Sequence, residues 1–307
     1  MTVSAIVVTF NSARQIACCL AALREADLRT FVVDNGSSDE TLDIVASEFP
    51  RTHVIANPEN RGFAAAVNQA LAEVAGDVVL LVNPDCIVPL QTVRALVAHV
   101  ERDPTVGLAA PRLVNADGET AISVHPFESL GTVVASRFGG SLLPVSVRRL
   151  LAGRRRRRSY DACRLGRAPQ DVDWASGACL AVRTSLLRGL GGLDDSYFMY
   201  YEDEELCLQA WRAARRVVYL PHVSAQHTGG ASSGDPAHVW PHLYRSLLRF
   251  QARHRPRTYT AVRVAVIVRA VVGIALGLAR DKRRAQAWAR IGAIALRSPR
   301  RVAARAA

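Results

Sequence analysis

Four consecutive carboxylates, Glu202, Asp203, Glu204 and Glu205, stand beside Tyr200 and Tyr201. Like charges packed this closely repel, which raises carboxylate pKa values and suits such a group to general-base work. The same cluster is what a helix N-terminus favours through its dipole. Asp85 follows an apolar run and Asn83-Pro84. There it reads either as a hard-cation ligand, since Mg²⁺ commonly takes one or two carboxylates plus substrate phosphates, or as plain turn chemistry. Asp34, ahead of Asn35-Gly36-Ser37, offers acceptors to a nucleobase or ribose, or closes a turn. His227 is free to ligate a metal or to hydrogen-bond within a loop.

These groups need elements to position them, and the pattern supplies a regular set. Val3–Thr9 is a short β-branched run, expected as a buried parallel strand. Ser12 is expected to cap a helix through Leu20 and Leu23, and Asp39 one over Glu40–Phe49. Strands are expected at 30–34, 53–56, 78–82 and 106–110, with helices within 60–75 and over 90–102. The βαβαβ alternation predicts a mostly parallel sheet with helices on both faces. Ligands of such sheets bind at the carboxyl ends of strands, which is where Thr9, Asn11, Asp34 and Asp85 fall. No G-x-G-x-x-G follows the first strand, which argues against a dinucleotide site. Farther on, 172–182 reads as strand–turn–strand around Ser176-Gly177-Ala178, and 217–220 as a short strand.

Composition sets the frame. With 307 residues, 50% hydrophobic and 21% charged, the chain has material for a sizeable core and excludes disordered and disulfide-scaffold classes. Six cysteines include no C-x-x-C pair, so a reduced compartment is expected and a structural zinc site is not. Residues 1–10 have no signal-peptide pattern.

The net charge of +12 is unevenly spread. Residues 1–136 hold eight basic against sixteen acidic groups, and residues 171–239 five against nine. Residues 137–170 hold ten against one, including Arg154 to Arg158, and residues 240–307 sixteen against one. An acidic body with a basic tail points to an anionic partner. Residues 261–279 are apolar apart from Arg263 and Arg269, with basic flanks and a later Trp288. That composition suits an anionic bilayer interface. Arg269 interrupts the run short of the roughly 20 residues a span requires, so a surface-lying anchor is expected over a span. A helical hairpin packed on the body or on a second copy is the competing reading. Nucleic acid is not expected, because no aromatics alternate with the tail arginines.

Taken in order, Val7-Val8-Thr9-Phe10-Asn11-Ser12, Val33-Asp34-Asn35-Gly36-Ser37-Ser38-Asp39, Asn57-Pro58 with Arg61-Gly62-Phe63, Asn68, Leu81-Val82-Asn83-Pro84-Asp85, Trp174-Ala175-Ser176-Gly177-Ala178, Phe198-Met199-Tyr200-Tyr201-Glu202-Asp203 and His227 resemble family 2 glycosyltransferases. The nearest look is to rhamnosyltransferases of bacterial cell-envelope assembly, over roughly residues 3–230. The resemblance implies a GT-A fold over residues 1–239; charge and composition set off 137–170 as a basic insert and 240–307 as a helical membrane-surface or oligomerisation segment. The resemblance also implies inverting transfer from a nucleotide-diphosphate sugar, dTDP-rhamnose among the donors, to a lipid-linked or cell-envelope glycan at the inner face of the membrane. Carried over by motif, Thr9, Asn11, Asp34, Arg61, Asn83 and Asp85 bind the donor; Asp85 and His227 hold Mg²⁺ or Mn²⁺. Asp203 is the catalytic base, in a pair with Glu202, and Trp174, Ser176 and Gly177 shape the acceptor side. Two departures stand out: Asn83 replaces the first Asp of D-x-D, and no Q-x-x-R-W follows the acidic cluster, so one or a few additions are expected. An inactive family member acting as an assembly partner, and a nucleotidyltransferase, are the alternatives.

Overall fold

A computed structural model describes residues 3–137, 161, 163, 166–229 and 236–299. The Arg154–Arg158 run lies outside the described residues. In chain order the strands are β1 (Val3–Thr9), β2 (Arg29–Asp34), β3 (His53–Ala56), β4 (Val78–Val82), β5 (Cys86–Ile87), β6 (Val106–Val114), β7 (Val124–His125), β8 (Gln170–Asp171), β9 (Trp174–Ala175), β10 (Cys179–Arg183) and β11 (Arg216–His227). The helices are α1 (Ile16–Glu25), α2 (Thr41–Glu48), α3 (Phe63–Glu73), α4 (Leu90–Arg102), α5 (Leu130–Arg137), α6 (Thr184–Gly189), α7 (Glu202–Arg212), α8 (Pro236–His254), α9 (Pro256–Arg280) and α10 (Lys282–Arg297).

One nine-stranded sheet runs β3-β2-β1-β4-β10-β6-β11-β5, with β8 on β11. The β3, β2, β1 and β4 strands pair in parallel, β10 runs antiparallel between β4 and β6, and β6 pairs in parallel with β11. This is the mixed, mostly parallel sheet the alternation predicts. Alternate residues of each strand feed two cores: Ile6, Phe31 and Leu81 on one face, Val7, Val32 and Leu80 on the other. The central strands are buried on both sides, which explains their unbroken Val/Leu runs.

Three local expectations are corrected. Ser12 does not cap α1: the helix begins at Ile16 after Gln15. The Ser12 carbonyl instead accepts from the Gln15 and Ile16 amides, making a turn before the helix. The strand expected at 106–110 runs on to Val114, and the one expected at 217–220 spans Arg216–His227. These two pair along their extra length through a register shift between Leu220 and Ser224, which lets β11 pass Pro221. Asp39 acts just outside its helix: its carboxylate accepts from the Thr41 amide and hydroxyl and from the Ala13 amide, tying α2 to the loop after β1.

A third core lies in the C-terminal helices. Leu247, Phe250, Tyr259, Val262, Val266, Trp288 and Ile291 are buried together with Tyr197 and Tyr201 from the segment before α7. The tail therefore packs on the body, and α8 begins at Pro236, ahead of the 239/240 boundary.

Candidate active site

The β1 strand ends at Thr9 and β2 at Asp34, in register. Thr9 donates its hydroxyl to Asp34 Oδ1 at 2.7 Å. The Ser37 hydroxyl adds a second bond to Oδ1 at 2.5 Å, and the Gly36 and Ser37 amides bond Oδ2 at 3.1 and 2.8 Å. Gly36, at φ 77°, supplies the left-handed residue this turn needs. Asp34 is thus fully buried with both oxygens occupied by its own turn. Asn35 carries the turn onward: its side chain donates to the Gly62 carbonyl at 3.2 Å and accepts from Asn57 at 3.1 Å, and Asn57 exchanges two bonds with Gln69 on α3.

The β4 strand ends at the Asn83-Pro84-Asp85 turn. Immediately after it, β5 pairs antiparallel with the far end of β11, placing His227 opposite Cys86. This register brings His227 Nε2 to 3.3 Å from Asp85 Oδ1, across a long sequence separation. The Thr228 amide and hydroxyl bond the Asp85 carbonyl and lock the junction. Beneath it, Cys86 and Cys179 are buried; the hydrogen bond with Cys86, then burial, pushes the Cys179 thiol well up, so it stays protonated.

The acidic cluster opens α7. Tyr200 and Tyr201 precede it with φ of 65° and 73°, a backbone region that bulky residues rarely adopt and that contacts must enforce. Tyr201 is held by its hydroxyl on Glu128 and by packing against Phe250. Asp203 Oδ2 accepts the Gly177 amide at 3.0 Å and Oδ1 the Glu204 amide at 2.8 Å. A Cβ on Gly177 would stand 3.4 Å from Asp203 Cβ, at van der Waals contact with that side chain. Glu202 Oε2 is buried with no hydrogen-bond partner among the described residues. Burial, then the adjacent Asp203 charge, push Glu202 up to about 8. Burial also raises Asp203, against the pull of its two amide donors. Glu204 and Glu205 face elsewhere: Glu204 accepts the Glu128 amide at 2.8 Å, and Glu205 accepts from Tyr197 and His254.

These pieces meet in one cavity of about 330 Å³. Of the residues expected from sequence, Thr9, Asn83, Asp85, Ser176, Gly177, Glu202, Asp203 and His227 line it. Asn11, Asp34, Arg61 and Trp174 do not. Asn11 is exposed and binds the Ser37–Ser38 turn. Arg61 is exposed. Trp174 donates to the Pro126 carbonyl at 3.1 Å and stacks on His125. Asn35, Asn60, Gly62, Phe63, Met199 and Tyr200 line the cavity without having been singled out as site residues. Most lay inside the same motifs, so motif membership was the available signal. Gly62, at φ 84°, abuts Phe198 so closely that a Cβ would lie 2.5 Å from its carbonyl oxygen.

The C-terminal helix α8 supports this wall. Ser246 donates to the Met199 carbonyl at 2.8 Å, and His242 stacks on Phe198 with ring centres 4.6 Å apart. His254 Nε2 lies 2.6 Å from Glu205, and Arg253 pairs with Asp194. Burial alone would raise Glu205; the bond from His254 and its charge, with Arg253, hold it below its usual value.

Among the described residues no cluster of three metal-ligating side chains occurs. The Asp85–His227 pair offers one hard oxygen and one imidazole nitrogen on the cavity wall. That donor set fits a divalent cation such as Mg²⁺ or Mn²⁺.

Residues 4–158 match the family model described as Glycosyl transferase family 2. An N-acetylglucosaminyl-diphospho-decaprenol L-rhamnosyltransferase of Mycobacterium tuberculosis is 29% identical over 265 residues, 81% of this chain and 84% of that protein. A low-salt glycan biosynthesis hexosyltransferase, Agl10 of Haloferax volcanii, is 28% identical over 64% of this chain and 57% of its own length. Among solved structures, a mannosyltransferase of Pyrobaculum calidifontis in complex with GDP-Man and Mn²⁺ superposes with a TM-score of 0.56 at 19% identity, covering 96% of this chain and 86% of that one. Residues 1–349 of S. aureus TarS superpose with a TM-score of 0.51 at 18% identity, covering 96% of this chain and 90% of that one. The fold is the GT-A glycosyltransferase fold.

Proposed function

Since the chain belongs to glycosyl transferase family 2, we propose that it moves a sugar, L-rhamnose first among the candidates, from a nucleotide-diphosphate donor to a lipid-linked or envelope glycan, with inversion. The observation that carries this reading is a single cavity lined both by Asp203 and by the Asp85–His227 pair. The same cavity thus offers both a base and a seat for a metal-bound diphosphate. The activity named for the mycobacterial relative supports the sugar and the lipid carrier.

Asp203 accepts the proton of the acceptor hydroxyl while that oxygen attacks the anomeric carbon from the face opposite the departing diphosphate. The C1–O bond breaks with its electron pair on the nucleoside diphosphate. Confinement in one buried pair disfavours two negative charges, so Glu202 keeps its proton at pH 7 and Asp203 carries the charge. The Gly177 and Glu204 amides orient the base from two sides. Asp34 shapes the nucleotide end by clamping Thr9 and the Asn35 turn. A divalent cation at Asp85 and His227, when bound, would offset the charge developing on the leaving diphosphate.

Calorimetry with UDP, dTDP and GDP, with and without Mn²⁺, tests the reading. Metal-dependent binding of one diphosphate is the expected result, and dTDP would support rhamnose. Folded protein that binds none of them overturns the reading in favour of an inactive assembly partner.

A further inference from the structure

Among the described residues, one helix, over Pro256–Ala279, is long and apolar enough to cross a membrane. Its two faces differ completely. Val262, Val266 and Ala270 are buried against the neighbouring helices, whereas Val264, Val268, Val271, Val272, Leu276 and Leu278 are 46–66% exposed. These six fall on one side of a helix of 3.6 residues per turn, as a stripe about 21 Å long.

The two arginines that interrupt this segment in sequence do not interrupt the stripe. Arg263 donates to the Ala295 and Leu296 carbonyls at 2.7 Å, closing the C-terminus of α10, and Arg269 lies over the Trp288 ring at 4.5 Å. Both are spent on α10. That helix packs against α9 at close range: a Cβ on Gly273 would meet Trp288 at 2.3 Å, and one on Gly277 the Ala285 backbone at 2.6 Å. The outward side of α10 is basic, with Lys282, Arg283, Arg290 and Arg297 exposed. Asp281, between the helices, is the one acid in residues 240–307.

We propose that this hairpin docks the protein on an anionic bilayer, in the membrane plane, with the α9 stripe among the acyl chains and the basic groups of the tail drawing it to anionic headgroups. Charge complementarity selects the occupant: an exposed apolar stripe on a segment with sixteen basic groups against one acid matches an anionic lipid surface. In-plane placement follows from the packing. Were α9 to cross the bilayer, α10 would follow through Gly273, Gly277 and the Arg263 and Arg269 contacts, drawing its cationic face into hydrocarbon at high cost. The dock is rigidly connected to catalysis, because α8 packs on both helices and binds the Met199 carbonyl. The use of the dock, to meet a lipid-borne acceptor, rests on the function proposed above; the docking itself does not.

Flotation of the full chain with phosphatidylglycerol/phosphatidylcholine vesicles tests this, with phosphatidylcholine vesicles as control. The protein is expected to float with the anionic vesicles, to leave neutral ones at least tenfold more readily, and to be released by alkaline carbonate. Val268→Asp/Leu276→Asp should abolish flotation, and Arg290→Gln/Arg297→Gln should weaken it about tenfold and flatten its salt dependence. An unchanged Tm and circular dichroism spectrum in every variant show that the fold persists. Wild-type protein that stays with the pellet, or a double-Asp variant that floats normally, overturns the proposal. So does resistance to carbonate, which marks a span, or a dimer that the double-Asp variant splits, which marks a protein interface. Flotation with no diphosphate binding in the wild type would leave the dock standing and remove the transferase reading alone.

Discussion

Asp34 and the Glu202–Asp203 pair are both carboxylates at the rim of the same fold, and both bond backbone amides. Asp34 ends a strand inside a turn that occupies each of its oxygens, four donors in all. The Glu202–Asp203 pair opens a helix, lines the cavity, keeps one buried oxygen without a partner and has both carboxyls raised by burial. The difference teaches that the work open to a carboxylate depends on the lone pairs its own fold leaves free. Asp34, with four donors, braces; Asp203, with one amide on each oxygen, keeps acceptor sites for a proton.

Three measurements can break or sharpen that contrast. The largest effect is expected from Asp203→Asn, a loss of roughly 10³-fold or more in kcat with diphosphate binding retained by calorimetry. Normal turnover would remove Asp203 as the base. Next is Asp34→Ala, expected to lower unfolding free energy by about 2–3 kcal/mol in urea titrations, since it strands buried donors. If stability holds and only donor affinity falls, Asp34 touches the ligand and the contrast fails.

The smallest effect concerns pH. Glu202 titrates near 4.5 when unfolded and near 8 when folded, so the native state binds more protons between those values. Stability from this group is therefore fully present below about 4.5 and is lost as pH rises through 8. The Glu202→Gln variant should have a higher Tm than wild type at pH 9, with the gap closing toward pH 5. A constant gap across that range would mean that Glu202 does not carry the buried proton.

Much of this was legible in the chain. The strands at 30–34, 53–56 and 78–82 and the helix at 90–102 came out of local runs, because β-branched runs and 3.6-residue periodicity act over neighbours. Thr9 and Asp85 were visible as polar stations at strand ends, Asp203 within the acidic cluster, and Gly177 through the motif resemblance. What was not legible depends on distant pairing. The β11 strand was read as ending at Leu220 because Pro221 breaks the pattern; β6 carries it on to His227. Arg269 was read as interrupting an apolar segment, yet Trp288 takes it off the exposed face. Asp34 and Trp174 lay in the right motifs but are committed to their own surroundings.

By itself, then, the amino-acid sequence determined which residues form strands and helices, that the sheet is mostly parallel, and which polar groups stand at its edge. Tertiary structure decided the contact by which His227 reaches Asp85, a pairing that the motif resemblance implied and local pattern did not; it alone decided that the tail helix α8 holds the Met199 carbonyl and which oxygens remain free in the cavity. The physical reason is range: propensity and periodicity are summed over adjacent residues, whereas an unfilled lone pair or an exposed stripe is what remains after every distant segment has packed.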